Sequence, residues 1–223
     1  MRVRILAPVF AALIVVACSS GTYNTPAPSS TYTPAPMDAA SMAMSAKSQT
    51  LHDAMRKLWA DHVFYTRLYI ISAVNGSDDA QATATRLLKN QDDIGNAIVP
   101  YYGAAAGQKL GDLLRQHILI AVDVVSAAKA NDQAKLNDAQ ARWHANAADI
   151  ATFLSGANPN WPRQAVLDML NQHLALTTQE AVDRLQKNYA DDVPNFDAIF
   201  GQAEMMADTL SSGIVKQFPG QFS

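Results

Sequence analysis

The strongest constraint on the fold is the spacing of apolar residues from residue 47 onward, which keeps a helical period almost without interruption. In the first long segment, Leu51, Met55 and Leu58 are followed by His62 and Tyr65 at steps of three or four residues. Such steps place side chains on one face of an α-helix. No segment alternates polar and apolar residues with period two, so we expect no β-sheet.

Glycine, asparagine and proline residues divide this region into helices. The pattern predicts helices over about 48–75, 78–99, 104–130, 133–154, 161–188 and from 194 to just before 219. Their short connections make neighbours antiparallel. We therefore predict an all-α domain over residues 47–223: an up-and-down antiparallel helical bundle of four principal helices plus one or two extra. No repeat of solenoid period is apparent, so an array of repeats is not expected.

The N-terminus has the features of an export signal. Two arginines precede an apolar stretch over residues 5–16, which is short for a transmembrane helix. The stretch ends in Val15-Val16-Ala17-Cys18, with an aliphatic residue three positions before the cysteine and a small residue directly before it. This resembles the lipobox of bacterial lipoproteins. The resemblance implies that residues 1–17 are a lipoprotein signal peptide and that Cys18 carries the lipid anchor, palmitate included.

The segment after Cys18 is typical of a tether. Residues 18–46 are rich in Ser, Thr, Ala and Pro, and the sequence Thr-Pro-Ala-Pro occurs at 25–28 and again at 33–36. Such a composition is extended and cannot form a core. Ser19 and Ser20 stand where an Asp would signal retention in the inner membrane. We expect a protein in the outer membrane facing the periplasm if the host has two membranes, and otherwise on the outer face of the cell membrane.

Composition narrows the partners. The chain has 17 basic and 20 acidic residues and a formal net charge of −3, so it lacks the basic field that nucleic-acid binding needs. Cys18 is the only cysteine, which excludes an internal disulfide. We therefore expect a membrane contact through the lipid at Cys18, no nucleic acid, and an envelope protein as the candidate protein partner.

Three histidines define the candidate site, because each lies on an apolar stripe near the middle of a different predicted helix. Mid-helix positions of several helices meet at one height in a bundle. The acidic candidates include Glu180 and Glu204, the only glutamates of the chain. The predicted metal ligands are His62, His117, His173, Glu180, Glu204 and Asp208. Imidazoles with a carboxylate suit Zn, Cu or Fe, and non-covalent haem is a further candidate. The alternative is that each histidine is a hydrogen-bonded core residue.

Three further segments carry a second resemblance. Residues 62–67 (His-Val-Phe-Tyr-Thr-Arg), 173–177 (His-Leu-Ala-Leu-Thr) and 206–211 (Met-Ala-Asp-Thr-Leu-Ser) are similar to a family of uncharacterised bacterial helical-bundle proteins. The resemblance covers most of residues 50–218. It implies the bundle fold and brings no activity with it.

Several known chemistries lack their motifs. The chain has no Glu-x-x-His pair for a di-iron site, no Cys-x-x-Cys-His for covalent haem and no His-Glu-x-x-His for a zinc protease. We expect a lipid-anchored cell-envelope protein that binds a metal ion or haem. The alternative is a structural or interaction lipoprotein that docks another envelope component without a cofactor. An enzyme, for example one using His173 and Glu180 as an acid–base pair, ranks third.

Overall fold

The computed structural model describes residues 45–223; the predicted signal peptide, Cys18 and nearly all of the tether lie outside these residues. The described chain is helical throughout and contains no strand, which confirms the all-α prediction. The helices are α1 (Ala46–Asn75), α2 (Ala80–Ala97), the short α3 (Val99–Tyr102), α4 (Ala104–Lys129), α5 (Gln133–Ala157), α6 (Arg163–Gln186) and α7 (Tyr189–Gln217), followed by a 3-10 turn over Pro219–Gln221.

Local sequence explains where these helices begin. Ser45 caps α1 by accepting a hydrogen bond from the backbone N–H of Ser48, and Asp132 caps α5 through the N–H of Lys135. The last helix begins earlier than predicted. Pro194 lies inside α7, which starts at Tyr189, because two aspartates in its first turn favour a helix N-terminus there.

Six long helices form a closed ring, where the sequence predicted four principal helices with one or two extras. Each long helix packs against the next one in the chain, and α7 closes the ring by packing against α1. The chain therefore consists of three antiparallel hairpins, α1–α2, α4–α5 and α6–α7. The first helices of these hairpins, α1, α4 and α6, also contact one another and carry the three candidate histidines.

The interior is apolar above and below these histidines. The larger cluster of buried side chains includes Trp59, Leu114 and Leu170, one from each first helix. A smaller cluster at the other side includes Ile70, Val125 and Ala181, again one from each first helix. No helix within residues 45–223 combines the length and the apolar character that crossing a membrane requires. The histidines thus lie in a layer between two apolar layers of the same three helices.

Candidate functional site

The three predicted histidines meet in the centre of the ring. The ring centroids of His62 and His173 are 5.5 Å apart, and those of His117 and His173 are 6.3 Å apart. Their exposed fractions are 2%, 3% and 4% for His62, His117 and His173. The helical stripes placed each histidine near mid-helix and left open whether the three converge; in the structure, the ring of His173 lies close to both of the others.

Tryptophans pack against this cluster. The indole of Trp59, one turn before His62 on α1, lies edge-on to the imidazole of His62 at 5.5 Å between centroids. Trp143 of α5 lies 5.2 Å from the ring of His117. Both indole N–H groups are buried without a hydrogen-bond partner. These aromatic walls exclude water from two of the three imidazoles.

His117 is held by an amide of the neighbouring helix. Its Nδ1 lies 2.8 Å from Oδ1 of Asn146, and Nδ2 of Asn146 donates to the carbonyl of Leu113 at 3.1 Å. The second bond fixes the amide orientation, because a carbonyl can only accept. Oδ1 must then accept from the imidazole, so Nδ1 of His117 carries the proton and Nε2 is the basic nitrogen.

Amides also approach the other two histidines. Gln91 acts on His62, and Gln202 on His173, as a hydrogen-bonding neighbour that raises the pKa of the imidazole. The geometry falls short of a full hydrogen bond, since Nδ1 of both histidines and the Oε1 atoms of both glutamines are buried without a partner. Each orphaned buried group costs about 1–3 kcal/mol. The amides were not predicted from the sequence.

Burial keeps all three imidazoles neutral. It lowers the pKa of His117 to about 3 and that of His173 to about 4, and it lowers the pKa of His62 well below its usual value of 6.5. The amide contacts oppose this shift but are weaker than desolvation. Repulsion from His173 lowers the pKa of His62 and His117 further. Neutral imidazoles are the form that binds metal ions.

Glu180 does not join the histidines, contrary to the prediction. It is 1% exposed and forms an ion pair with Arg67, whose guanidinium also binds Asp192 at 2.7 Å. Arg184 adds a second cation on Asp192 at 3.1 Å. Burial raises the pKa of Glu180 to about 7, although the Arg67 guanidinium opposes the shift. This carboxylate is therefore part of an ionic cluster that links α1, α6 and α7.

Glu204 and Asp208 lie at the α1–α7 interface and also depart from the prediction. Asp208 accepts two hydrogen bonds of 2.7 Å from Arg56, and Oδ1 also lies 2.7 Å from Nε2 of His52. Arg56 holds the pKa of Asp208 below its usual range. Glu204 lies 3.5 Å from the same guanidinium. All three predicted carboxylates thus pair with arginines. The sequence did not predict these pairs, because the pattern of apolar positions does not encode which charged side chains meet across helices.

The arrangement restricts what the histidine layer can hold. As the side chains lie, no three His, Cys, Asp or Glu groups within residues 45–223 form a ready set of metal ligands. A small apolar cavity adjoins the layer and is lined in part by Thr66 and Thr177, each of which follows a histidine by one helical turn. Its volume of roughly 20 Å³ can hold about one water molecule. Haem does not fit there, because a porphyrin needs several hundred Å³.

Comparison of the chain with protein-family models, with curated proteins and with solved structures gave no significant match.

Proposed function

We propose that the bundle binds one transition-metal ion through the imidazoles of His62, His117 and His173. The observation that carries the proposal is the meeting of three buried, neutral imidazoles, two of which have an orphaned Nδ1. Coordination would give these buried rings a polar partner, which their burial among apolar side chains otherwise makes unfavourable to lack. Imidazole nitrogens suit zinc, copper and iron.

The ligand set proposed here is entirely neutral. The charge of the ion is then not compensated by a protein carboxylate, because the nearby acidic side chains are paired with arginines. A divalent ion would require a further ligand from solution, such as hydroxide, to offset part of its charge. A monovalent copper ion would leave only half as much buried charge without compensation. Since the cost of burying charge is high, we expect the site to discriminate between these ions.

The test is metal analysis of the full-length chain, purified in detergent without a histidine tag. After exposure to zinc, Cu(I) or Fe(II) and removal of free metal, the wild type should retain one equivalent of at least one ion. His62→Ala and His173→Ala should lose it, and His144→Ala, which removes an exposed imidazole on α5, should keep it. Equal retention by all four proteins, or no retention by any, would refute the proposal.

We also propose that the chain is exported and anchored by lipid at Cys18. The proposal is supported by the sequence Val15-Val16-Ala17-Cys18 after a basic and apolar N-terminus. Labelling cells with radioactive palmitate should label the wild type and leave Cys18→Ser unlabelled, and the variant should leave the membrane fraction. A labelled Cys18→Ser protein would show that the lipid is attached elsewhere, and an unlabelled wild type would show that it is absent.

A docking function in the envelope is the second candidate. It is favoured by exposed apolar side chains on the adjacent helices α1 and α7: Phe64, Val193 and Phe200 are 50%, 56% and 37% exposed. Apolar groups collected on neighbouring helices are typical of protein interfaces. A photo-crosslinking residue at Phe64 should capture a partner in cells, and the same residue at the exposed Asn137 of α5 should not.

A further inference from the structure

The three hairpins end their first helix in the same way. Gly76, Asn131 and Lys187 all have positive φ, at 70°, 55° and 59°. The N–H of each bonds to the carbonyl three residues earlier, and the N–H of the next residue bonds to the carbonyl five residues earlier. This is the same left-handed helix end three times. Asn131 and Lys187 are also the only non-glycine residues with positive φ among residues 45–223.

The two helices of each hairpin are joined by the same hydrogen bond from a buried amide side chain. Asn90 Nδ2 donates to the Leu58 carbonyl at 3.0 Å, and Asn146 Nδ2 to the Leu113 carbonyl at 3.1 Å. In the third hairpin, Gln202 Nε2 donates to the carbonyl of Met169 at 3.0 Å. These pairs are 32, 33 and 33 residues apart in sequence. The same contact therefore occurs in each hairpin, and the number of residues between donor and acceptor differs by at most one.

The histidines occupy the same place in this repeat. Each accepting carbonyl lies four residues before a histidine, namely His62, His117 or His173. The steps from one histidine to the next are 55 and 56 residues, and the same steps relate the three helix ends described above. The apolar layers follow the same repeat. The residues three positions before the histidines are all buried, namely Trp59, Leu114 and Leu170. The residues eight positions after the histidines are buried as well, namely Ile70, Val125 and Ala181.

We infer that residues 46–217 consist of three copies of one helical hairpin, closed into a ring, and that the histidine layer is a threefold site to which each copy contributes one imidazole and one positioning amide. The metal ligand rests on the proposed function, whereas the repeat does not. A repeat of 55 to 56 residues is longer than solenoid periods, and it differs from a solenoid because the third copy closes on the first.

The amides are positioning residues, because in the second and third hairpins the side chain that bonds the neighbouring helix also lies beside the imidazole. Through its NH₂ group the amide fixes the height of the histidine-bearing helix, and in the second hairpin its oxygen orients His117. The first hairpin divides these tasks. There Asn90 Oδ1 accepts from Gln91 Nε2 at 3.2 Å, and Gln91 is the residue that acts on His62. Amides in this place set which ring nitrogen is basic, as acceptors behind metal-binding histidines do.

The experiment uses the full chain, metal-free in detergent and EDTA, with ¹⁵N-labelled histidine. Asn90→Leu, Asn146→Leu and Gln202→Leu remove the amide of one copy each, and Asn137→Leu removes an exposed amide of α5 as the matched control. In each amide variant, we expect the ring ¹⁵N resonances of the histidine in that hairpin to move and those of the other two to stay. All three variants should lower Tm by a similar amount, roughly 2–10 °C, and the control should not.

Zinc binding separates this inference from the proposed function. If the wild type binds zinc, each amide variant should bind it 10- to 100-fold more weakly, and Asn137→Leu should bind it normally. If the wild type binds no metal while each resonance shift stays confined to one hairpin, the repeat holds and the proposed function fails. Shifts spread over all three histidines, or a Tm loss in only one variant, would overturn the inference. Where a leucine variant does not fold, the serine variant at that position replaces it.

Discussion

Replacing His117 by glutamine should remove one of the three histidine contributions to the acid sensitivity of the protein. Burial lowers the pKa of His117 in the folded state to about 3, against about 6.5 in an unfolded chain. On acidification the unfolded chain therefore binds the proton first, and folding stability falls from about pH 6.5 until the folded state also protonates near pH 3. Each pH unit in this window costs about 1.4 kcal/mol, so His117 alone costs about 2 kcal/mol at pH 5.

Urea unfolding followed by tryptophan fluorescence measures this difference in metal-free protein. Between pH 7 and pH 5 the wild type should lose about 2 kcal/mol more than His117→Gln does, or roughly 1 M in urea midpoint. Glu180 acts in the opposite direction, because burial raises its pKa to about 7 and acid relieves its buried charge; the comparison cancels this contribution. His144→Gln, which removes an exposed imidazole, should follow the wild type. Parallel losses in wild type and His117→Gln would refute the reasoning.

Four further substitutions test the packing, the ionic cluster and one helix end. Gly213→Ala would push Cβ into the indole of Trp161 and should destabilise the protein by about 1–3 kcal/mol. Gly201→Ala, on the same helix, meets open space and should stabilise the protein by up to about 1 kcal/mol. The urea midpoints of the two variants test both predictions. Arg67→Met leaves two buried carboxylates without their shared cation and should cost about 3–5 kcal/mol, measured the same way, so an unchanged midpoint would contradict the importance of that ionic cluster. Lys187→Gly relieves a left-handed backbone and should raise the free energy of unfolding by about 1 kcal/mol; a lower value would contradict that reading.

The helices could be predicted because they follow from the period of apolar residues, and the same period placed the three histidines on apolar stripes near mid-helix. Whether the histidines converge or pack separately stayed open, because the period of one helix does not fix how several helices are arranged around one another. The carboxylates could not be placed in this way. Glu180 lies on the same helix as His173, but Arg67 reaches it from α1, and nothing in the spacing of either helix specifies that pair.

The threefold repeat was hidden for a related reason. Its equivalent positions keep only their physical role: Trp59, Leu114 and Leu170 are all large and apolar but not identical. The helix ends at Gly76, Asn131 and Lys187 share a positive φ without sharing a residue type. The clearest sequence trace is Leu114-x-Gln116-His117, which recurs as Leu170-x-Gln172-His173. The repeat is therefore visible in the hydrogen bonds and helix ends of the structure, although the residue types at equivalent positions differ.

X-ray absorption at the zinc edge tests the central claim most directly, with the full-length chain loaded with one equivalent of zinc. Coordination by the histidine layer predicts two or three imidazole nitrogens at about 2.0–2.1 Å from the ion, with the outer-shell scattering of imidazole rings. The signal should disappear in His173→Ala. A spectrum of oxygen ligands alone, unchanged in His173→Ala, would place the zinc on surface carboxylates and contradict a metal site in the core.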